Sequence, residues 1–360
     1  MKKKTHVLFT GPLPPPAGGI SIHIWRLKHY LEKAYALDYI DEADEKKEAF
    51  FNIHSLNPFT YFRKIAATDL LYIHSGNKLL KKLHIIFGKL FGKKIIVTLH
   101  GYGPARKWPF RELDSAFFSM ADKIILVNDG IKERLNLPLK KCVVQHAFIP
   151  PVIEEESLLP DHLLHRSNYA RKKQMIIICA NASRLDTYKE QDLYGLDMCI
   201  EATRKLVKKG FPVYFIFTVS SLDKGADRYS KAQSLIEAYQ LEHNFFLFHE
   251  KISFVKLIQA CDIVIRPTNT DGDALTIREG LFLGKQVLAS DVVERPSGTL
   301  LFKTRNQADL ENKLETMLLA KQQTTNGIYQ NKNQHTNDDL SFYYQLIDSV
   351  MANCGIILKK

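Results

Sequence analysis

Asp271 and Glu279 stand eight positions apart in Asp271-Gly-Asp-Ala-Leu-Thr-Ile-Arg-Glu279-Gly-Leu-Phe-Leu-Gly284. The first carboxylate falls in a glycine-containing loop. The second lies about a turn and a half into the helix that the pattern predicts next, whose apolar face is Ile277, Leu281 and Gly284. Gly284 ends that helix, and Gln286–Ser290 reads as a buried strand. The layout suits a sugar nucleotide. One carboxylate reaches the sugar, the other accepts both ribose hydroxyls, and the helix N-terminus at Ala274, Leu275, Thr276 and Ile277 faces a diphosphate. The plainer alternative is a surface ion pair between Arg278 and Glu279, of little energetic worth.

Three further groups fall where a predicted strand gives way to a loop. Arg184 and Lys189, in Asn181-Ala-Ser-Arg-Leu-Asp-Thr-Tyr-Lys189, can present two cations to a diphosphate leaving group. His100 ends the run Ile95-Ile-Val-Thr-Leu-His and precedes Gly101-Tyr-Gly103. Gly18 and Gly19 close the Pro-rich loop Thr10–Ile20 and open the first predicted helix, where bare backbone can approach a phosphate or sugar. That loop matches neither GxGxxG nor the P-loop, because no Gly-Lys-Ser/Thr follows.

The elements that must hold these groups alternate. Strands are expected at His6–Thr10, Leu70–His74, Lys94–His100, Lys123–Val127, Cys142–Phe148, Gln174–Ala180, Val213–Val219, Phe245–Phe248, Asp262–Arg266 and Gln286–Ser290. Many are continuous apolar runs, as in parallel strands buried on both faces. Helical patterns lie between them, including Ile20–Leu31, so the chain reads as α/β with open parallel sheets. At 360 residues two domains are expected. The polar, Pro-bearing stretch Ile149–Lys173 reads as the linker between them. Lys321–Asn337 reads as a mobile surface loop, followed by a helix with Leu340, Tyr343, Tyr344, Ile347 and Met351 on one face.

Hydrophobic residues make up 45% and charged residues 25%, as in a soluble globular protein. No run approaches the length of a membrane span, and no secretory h-region follows Met1-Lys-Lys-Lys4. The five cysteines are odd in number and free of CxxC spacing, which argues against both disulfides and zinc. A net charge of +11 calls for an anionic partner. Six lysines and no acid fall in Asn77–Lys94, where Leu79, Leu83, Ile86 and Leu90 recur at helical spacing. This basic amphipathic helix, Lys78–Lys94, either packs on a sheet or meets anionic lipid headgroups. Nucleic acid is excluded, since the lysines do not interleave with stacking aromatics and no RNA- or DNA-binding motif occurs.

These residues resemble the retaining GT-B glycosyltransferases of family 4, especially those that build bacterial surface polysaccharides. The resemblance spans nearly the whole chain: the Pro-rich loop into Ile20-Ser-Ile-His23, Thr98-Leu-His-Gly101, Ser183-Arg-Leu185, Tyr194-Gly-Leu-Asp-Met198, and above all Thr276–Asp291. The last segment resembles the second half of the family's Glu-x7-Glu signature. The resemblance implies that Glu279 binds the donor ribose and Asp271 the donor-sugar hydroxyls. It also implies that Arg184 with Lys189 holds the diphosphate, His100 sits beside the donor sugar, and Gly18-Gly19 closes over the phosphates. Three positions depart from the family pattern. Asp271 is one methylene shorter than the usual Glu, Tyr194 stands where Lys commonly precedes Gly-Leu-Asp, and Ser297 replaces a common Glu.

The expected fold is therefore two Rossmann-like domains with parallel sheets facing a central cleft. Residues 1–160 bind the acceptor, residues 161–335 bind the nucleotide sugar, and helix 338–353 packs back on the first domain. The expected reaction moves a hexose, with retention, from a nucleoside-diphosphate sugar (UDP- or GDP-linked) to a lipid-linked saccharide. No metal or other cofactor is expected. The location is cytoplasmic, peripheral at the inner face of the plasma membrane through Lys78–Lys94. A catalytically weakened GT-B scaffold and a sugar-nucleotide epimerase are the competing readings.

Overall fold

The computed structural model describes residues 4–15, 18–101, 109–223, 225–323 and 336–352. The chain forms two compact units, residues 1–149 together with the segment from 334 onward, and residues 150–333. Of the tract expected as a loop, residues 324–335 lie outside the described ones, as do Tyr102 and Gly103.

The first unit is built on seven parallel strands: β1 (His6–Gly11), β2 (Ala36–Asp41), β3 (Phe51–Asn52), β4 (Leu70–Ile73), β5 (Lys94–Leu99), β6 (Lys123–Leu126) and β7 (Cys142–Val144). Their order is β3-β2-β1-β4-β5-β6-β7. Helices α1 (Gly19–Leu31), α2 (Pro58–Ala67), α3 (Lys78–Leu90), α4 (Phe110–Ser119) and α5 (Gly130–Arg134) make the crossovers. Side chains alternate across the sheet, as the two-residue strand period requires. Leu8, Leu71, Ile95 and Val97 pack with Tyr61 and Ile65 of α2 and Ile85 of α3. Val7, Phe9, Leu70, Tyr72 and Ile96 pack on the opposite face with Ile24, Leu27 and Leu31 of α1.

The second unit repeats the plan. Its six-stranded parallel sheet runs β12-β11-β8-β13-β14-β15. The strands are β8 (Ile176–Arg184), β11 (Val213–Ser221), β12 (Phe245–His249), β13 (Ile263–Arg266), β14 (Gln286–Ser290) and β15 (Thr299–Phe302). A separate hairpin joins β9 (Thr187–Tyr188) to β10 (Gln191–Asp192). Helices α7 (Leu196–Lys208), α8 (Ala226–Ala238) and α11 (Gln307–Gln323) cover one face. Helices α6 (Asp161–Lys172), α9 (Phe254–Ala260) and α10 (Leu275–Phe282) cover the other. The final helix, α12 (Thr336–Met351), belongs to the first unit. Its Phe342, Tyr343, Leu346, Ile347 and Val350 join the core around Phe9 and Leu27, and Tyr35 donates from its hydroxyl to Asp348 at 2.7 Å.

One expectation is corrected. The stretch Ile149–Lys173 is not an extended linker. Asp161–Lys172 forms α6, which buries Leu163 and Ala170 against Ile177 and Val264, and the division falls at 149/150 rather than 160/161. So few apolar contacts leave almost no periodicity to read. Helix α3 packs on the sheet through a face offset from the leucine stripe. It buries Lys81, His84, Ile85 and Gly88, while Leu79 and Leu90 are 73% and 72% exposed. Gly88 is what lets it sit so close, since a Cβ there would fall 2.9 Å from both Ile95 and Leu71. Of the stripe Leu79, Leu83, Ile86 and Leu90, the two end residues point outward, while Leu83 packs on the core.

Candidate functional site

In an open α/β sheet the ligand crevice lies at the carboxyl edge, where strand order reverses. In the second unit that point falls between β8 and β13, which pair through Ile178↔Ile263 and Cys179↔Val264. The last residue of β13 is Arg266. Its Nη1 donates to the Asn181 carbonyl on β8 at 3.4 Å, and its guanidinium lies 5.2 Å from the Tyr194 ring centre. Asn181 Oδ1 accepts from the Thr276 hydroxyl at 3.2 Å, which ties β8 to the first turn of α10.

Asp271 sits inside this network. Oδ2 accepts from Arg266 Nε at 3.1 Å, Arg295 Nη1 at 3.0 Å and Thr268 Oγ1 at 3.0 Å. Oδ1 accepts from Arg266 Nη2 at 3.2 Å and the Gly272 N–H at 3.0 Å. A carboxylate offers about four lone-pair sites, so these five donors use its capacity. Burial pushes its pKa up, but the two arginines outweigh burial and hold it below the usual carboxylate value. Asp271 is thus engaged in anchoring two guanidinium groups, with its side chain 9% exposed and that of Arg295 only 2%.

Glu279 is buried on α10. The helix seats it by docking closely on the sheet, where a Cβ on Gly280 would fall 2.9 Å from Val287 and 3.2 Å from Val264. At the N-terminus of α10, Ala274 is the cap residue and no side chain caps the helix, so Leu275, Thr276 and Ile277 form its first turn. Arg278 pairs with Asp273 at 2.7 Å.

Arg184 ends β8, largely exposed, with Nε 3.3 Å from Asp186. Lys189 is at the tip of the β9–β10 hairpin. It and Glu190 adopt φ of +49° and +63°, the two left-handed positions of a tight hairpin turn. The extra residues between Arg184 and Tyr194 are this hairpin. It is fixed to the sheet edge by Asn269, which donates from Nδ2 to Tyr188 O and from its N–H to Leu193 O, both at 3.1 Å. Gly195 follows at φ +67°, where a Cβ would come 2.5 Å from the Pro267 carbonyl oxygen, so only glycine fits. Tyr194 shares a 2.7 Å hydrogen bond with Ser183.

The first unit has its own switch point, between β1 and β4. A Cβ on Gly11, at the end of β1, would lie 2.7 Å from Ile24 and 3.2 Å from His74, so α1 and β4 close tightly over the strand end. His74 follows β4 and His100 follows β5; His74 Nδ1 and His100 Nε2 are 3.1 Å apart. His23 on α1 joins them, with ring centres 5.1 Å from His74 and 4.9 Å from His100. Burial drives His23 down to about 4, against the pull of the Ala147 carbonyl, and holds His74 and His100 well below the ordinary histidine value. Beside them runs a chain of buried polar groups. Tyr61 hydrogen-bonds His84 at 2.9 Å, His84 meets Glu42 at 3.0 Å, and the Ser75 hydroxyl donates to the same Glu42 oxygen. Burial brings Lys81 down to about 8, with Glu42 opposing. Gly18 and Gly19 open α1 in ordinary extended and helical backbone. A Cβ on Gly19 would meet nothing within 4 Å, so space and not conformation distinguishes this pair.

Of the residues expected from sequence, the structure gathers Asp271, Ala274 and Thr276 at the start of α10 and leaves Arg184 and Lys189 exposed, at the end of β8 and at the hairpin tip. His100 and the glycine pair belong to the first unit. Arg266, Arg295, Asn181, His23 and His74 were missed. Arg266 ends β13 and His74 directly follows β4, and that carboxyl-end position was the available signal.

No protein-family model matches this sequence, and none of the curated proteins does. Solved structures do. A glycosyltransferase from Rickettsia africae ESF-5 superposes with a TM-score of 0.71 at 18% identity, covering 97% of this chain and 99% of that one. Anabaena Alr3699/HepE in complex with UDP and glucose gives 0.66 at 15%, over 97% and 100%. The fold is GT-B. WaaG, a glycosyltransferase involved in lipopolysaccharide biosynthesis, matches more distantly, at 0.54 and 12% over 96% and 98%. Identities this low establish architecture. Within GT-B, the two carboxyl-edge switch points just described are where side chains of each unit converge.

Proposed function

We propose that this chain is a retaining hexosyltransferase. It takes a nucleoside-diphosphate sugar on the second unit and transfers the hexose to a saccharide acceptor held by the first, the acceptor being lipid-linked and destined for surface polysaccharide. The observation that carries the reading is buried Glu279 on a helix whose N-terminus no side chain caps, at the switch point of the second sheet. Glu279 accepts the ribose hydroxyls, and the first turn of α10 with Arg184 meets the diphosphate. Lys189, at the hairpin tip, supplements Arg184. The bond from the anomeric carbon to the diphosphate oxygen breaks while the acceptor oxygen bonds to the same face. The acceptor's proton passes to the departing phosphate oxygen. UDP bound to a GT-B relative, Anabaena HepE, supports this choice of donor.

The test is a thermal-shift screen of the purified chain against UDP-, GDP- and dTDP-hexoses. At a hundred times Kd a bound donor adds about 2.7 kcal/mol of stability, a shift of several degrees. If none of the three classes moves the transition, the donor reading fails.

The outward leucines of α3 favour contact with a lipid surface. Leu79, Leu90 and Phe91 are exposed, and Phe62 of α2 stacks on Phe91 with ring centres 5.9 Å apart. The lysines contribute less than their number suggests. Lys81 is buried, Lys82 pairs with Asp114 at 2.5 Å, and Lys89 pairs with Asp122 at 2.8 Å. The apolar stripe therefore does more of the proposed docking than charge. Sedimentation with vesicles about one-third anionic should capture the protein, and the double variant Leu79→Ser/Leu90→Ser should bind at least tenfold more weakly. Unchanged binding in that variant would remove this surface from the reading.

A further inference from the structure

Two histidines that the donor reading does not use, His23 and His74, cluster with His100, which that reading expects beside the donor sugar. His23, His74 and His100 come from α1, the end of β4 and the end of β5, and each can offer a ring nitrogen such that all three lie within 4.8 Å of one another. His23 and His74 are buried, at 2% and 0% exposure. His23 Nδ1 lies 2.7 Å from the Ala147 carbonyl and must donate to it, so Nε2 carries the lone pair. That Nε2 has no hydrogen-bond partner, and a buried nitrogen without one is costly. His74 offers Nδ1, which lies 3.1 Å from His100 Nε2.

The spacing has a physical meaning. Imidazole nitrogens bind zinc at about 2.0–2.1 Å in a tetrahedron, which sets ligand nitrogens about 3.4 Å apart and ring centres about 5.2 Å apart. The observed ring centres form a triangle of 4.9, 5.1 and 5.4 Å, and the nearest nitrogen pair is 3.1 Å apart. His23 also has the outer hydrogen bond, ring N–H to backbone carbonyl, that fixes the tautomer of metal-binding histidines. A saccharide hydroxyl could reach His100 at the edge but not the two rings behind it.

We infer that His23, His74 and His100 form a binding site for a borderline transition-metal cation of the zinc class, which pins α1 to the carboxyl edge of the first sheet. The charged groups facing the cluster are Lys81 and Arg26, both positive, with Glu42 beside Lys81. Hard cations held by charge are therefore disfavoured, and ions that bond strongly to imidazole are selected. The three residues are far apart in sequence and match no ligand-spacing motif, which is why the sequence pointed away from metal.

The test uses the untagged full chain, stripped with chelator and titrated with Co2+ and then Zn2+. One equivalent of Co2+ should bind with the intense visible bands of a tetrahedral site, be displaced by Zn2+, and raise the thermal midpoint. His23→Gln and His100→Gln should each weaken Co2+ binding at least tenfold, while His29→Gln, on the same helix outside the cluster, should not. If His23→Gln does not fold, His100→Gln at the partly exposed edge decides. Failure of the native chain to bind Co2+, or bands that persist in the folded variants, would overturn the site whatever becomes of the donor reading.

Discussion

Glu279→Ala should lower kcat/KM for sugar transfer by about 10^2–10^3. Two hydrogen bonds from ribose hydroxyls to an ionised acceptor are worth about 1.5–3 kcal/mol each, and losing about 3–4 kcal/mol of transition-state stabilisation gives that factor. Because the ribose does not change during transfer, the loss should fall mainly on KM and donor affinity. Glu279→Gln keeps one acceptor oxygen and should recover part of the affinity. Steady-state kinetics with donor titration and an unfolding curve for each variant make the check. Near-normal kcat/KM in a folded Glu279→Ala protein would place the ribose elsewhere.

Asp271→Ala should destabilise the second unit by about 3–5 kcal/mol, because it strands Arg266 and Arg295 at a site where both are largely buried. Removing a charge as well should restore much of the loss, so Asp271→Ala/Arg295→Met should be more stable than the single variant. Both tryptophans, Trp25 and Trp108, lie in the first unit's sequence. Their fluorescence would miss the effect, and hydrogen exchange of β8 and β13 is the suitable readout. The pH dependence follows from the sign of the shift. Asp271 has a lower pKa folded than unfolded, so its contribution is complete above the ordinary carboxylate value near 4 and disappears as pH falls through the folded value. Asp271→Asn should flatten that acid limb.

The sequence made the central strands plain because both of their faces are buried. Leu70–Ile73, Lys94–Leu99 and Ile176–Ala180 read as apolar runs for that reason. β2 was missed because Asp38 and Asp41 interrupt it, yet Asp41 is fully buried and accepts from the Leu13 and Ala43 N–H groups and from Lys47. A buried, satisfied acid looks like a loop residue until its partners are known. In α3 periodicity identifies a stripe but not how much of it packs: Leu83 joins the core, and Leu79 and Leu90 do not. At the candidate site, Glu279 could be placed because helix period and glycine position are local. Asp271 could not be understood so, because Arg266 and Arg295, on either side of it in the chain, meet it only in the fold. The histidine cluster is invisible in one dimension altogether.

The return of α12 to the first unit fixes an order of events during synthesis. Val7, Phe9, Leu27 and Leu31 complete their packing against Tyr343, Leu346 and Ile347, but the ribosome makes residues 150–333 in between. At about 5–20 residues per second, the first unit waits roughly ten to forty seconds with that apolar face uncovered, while the second unit can finish its core. The half of the molecule that begins first is completed last.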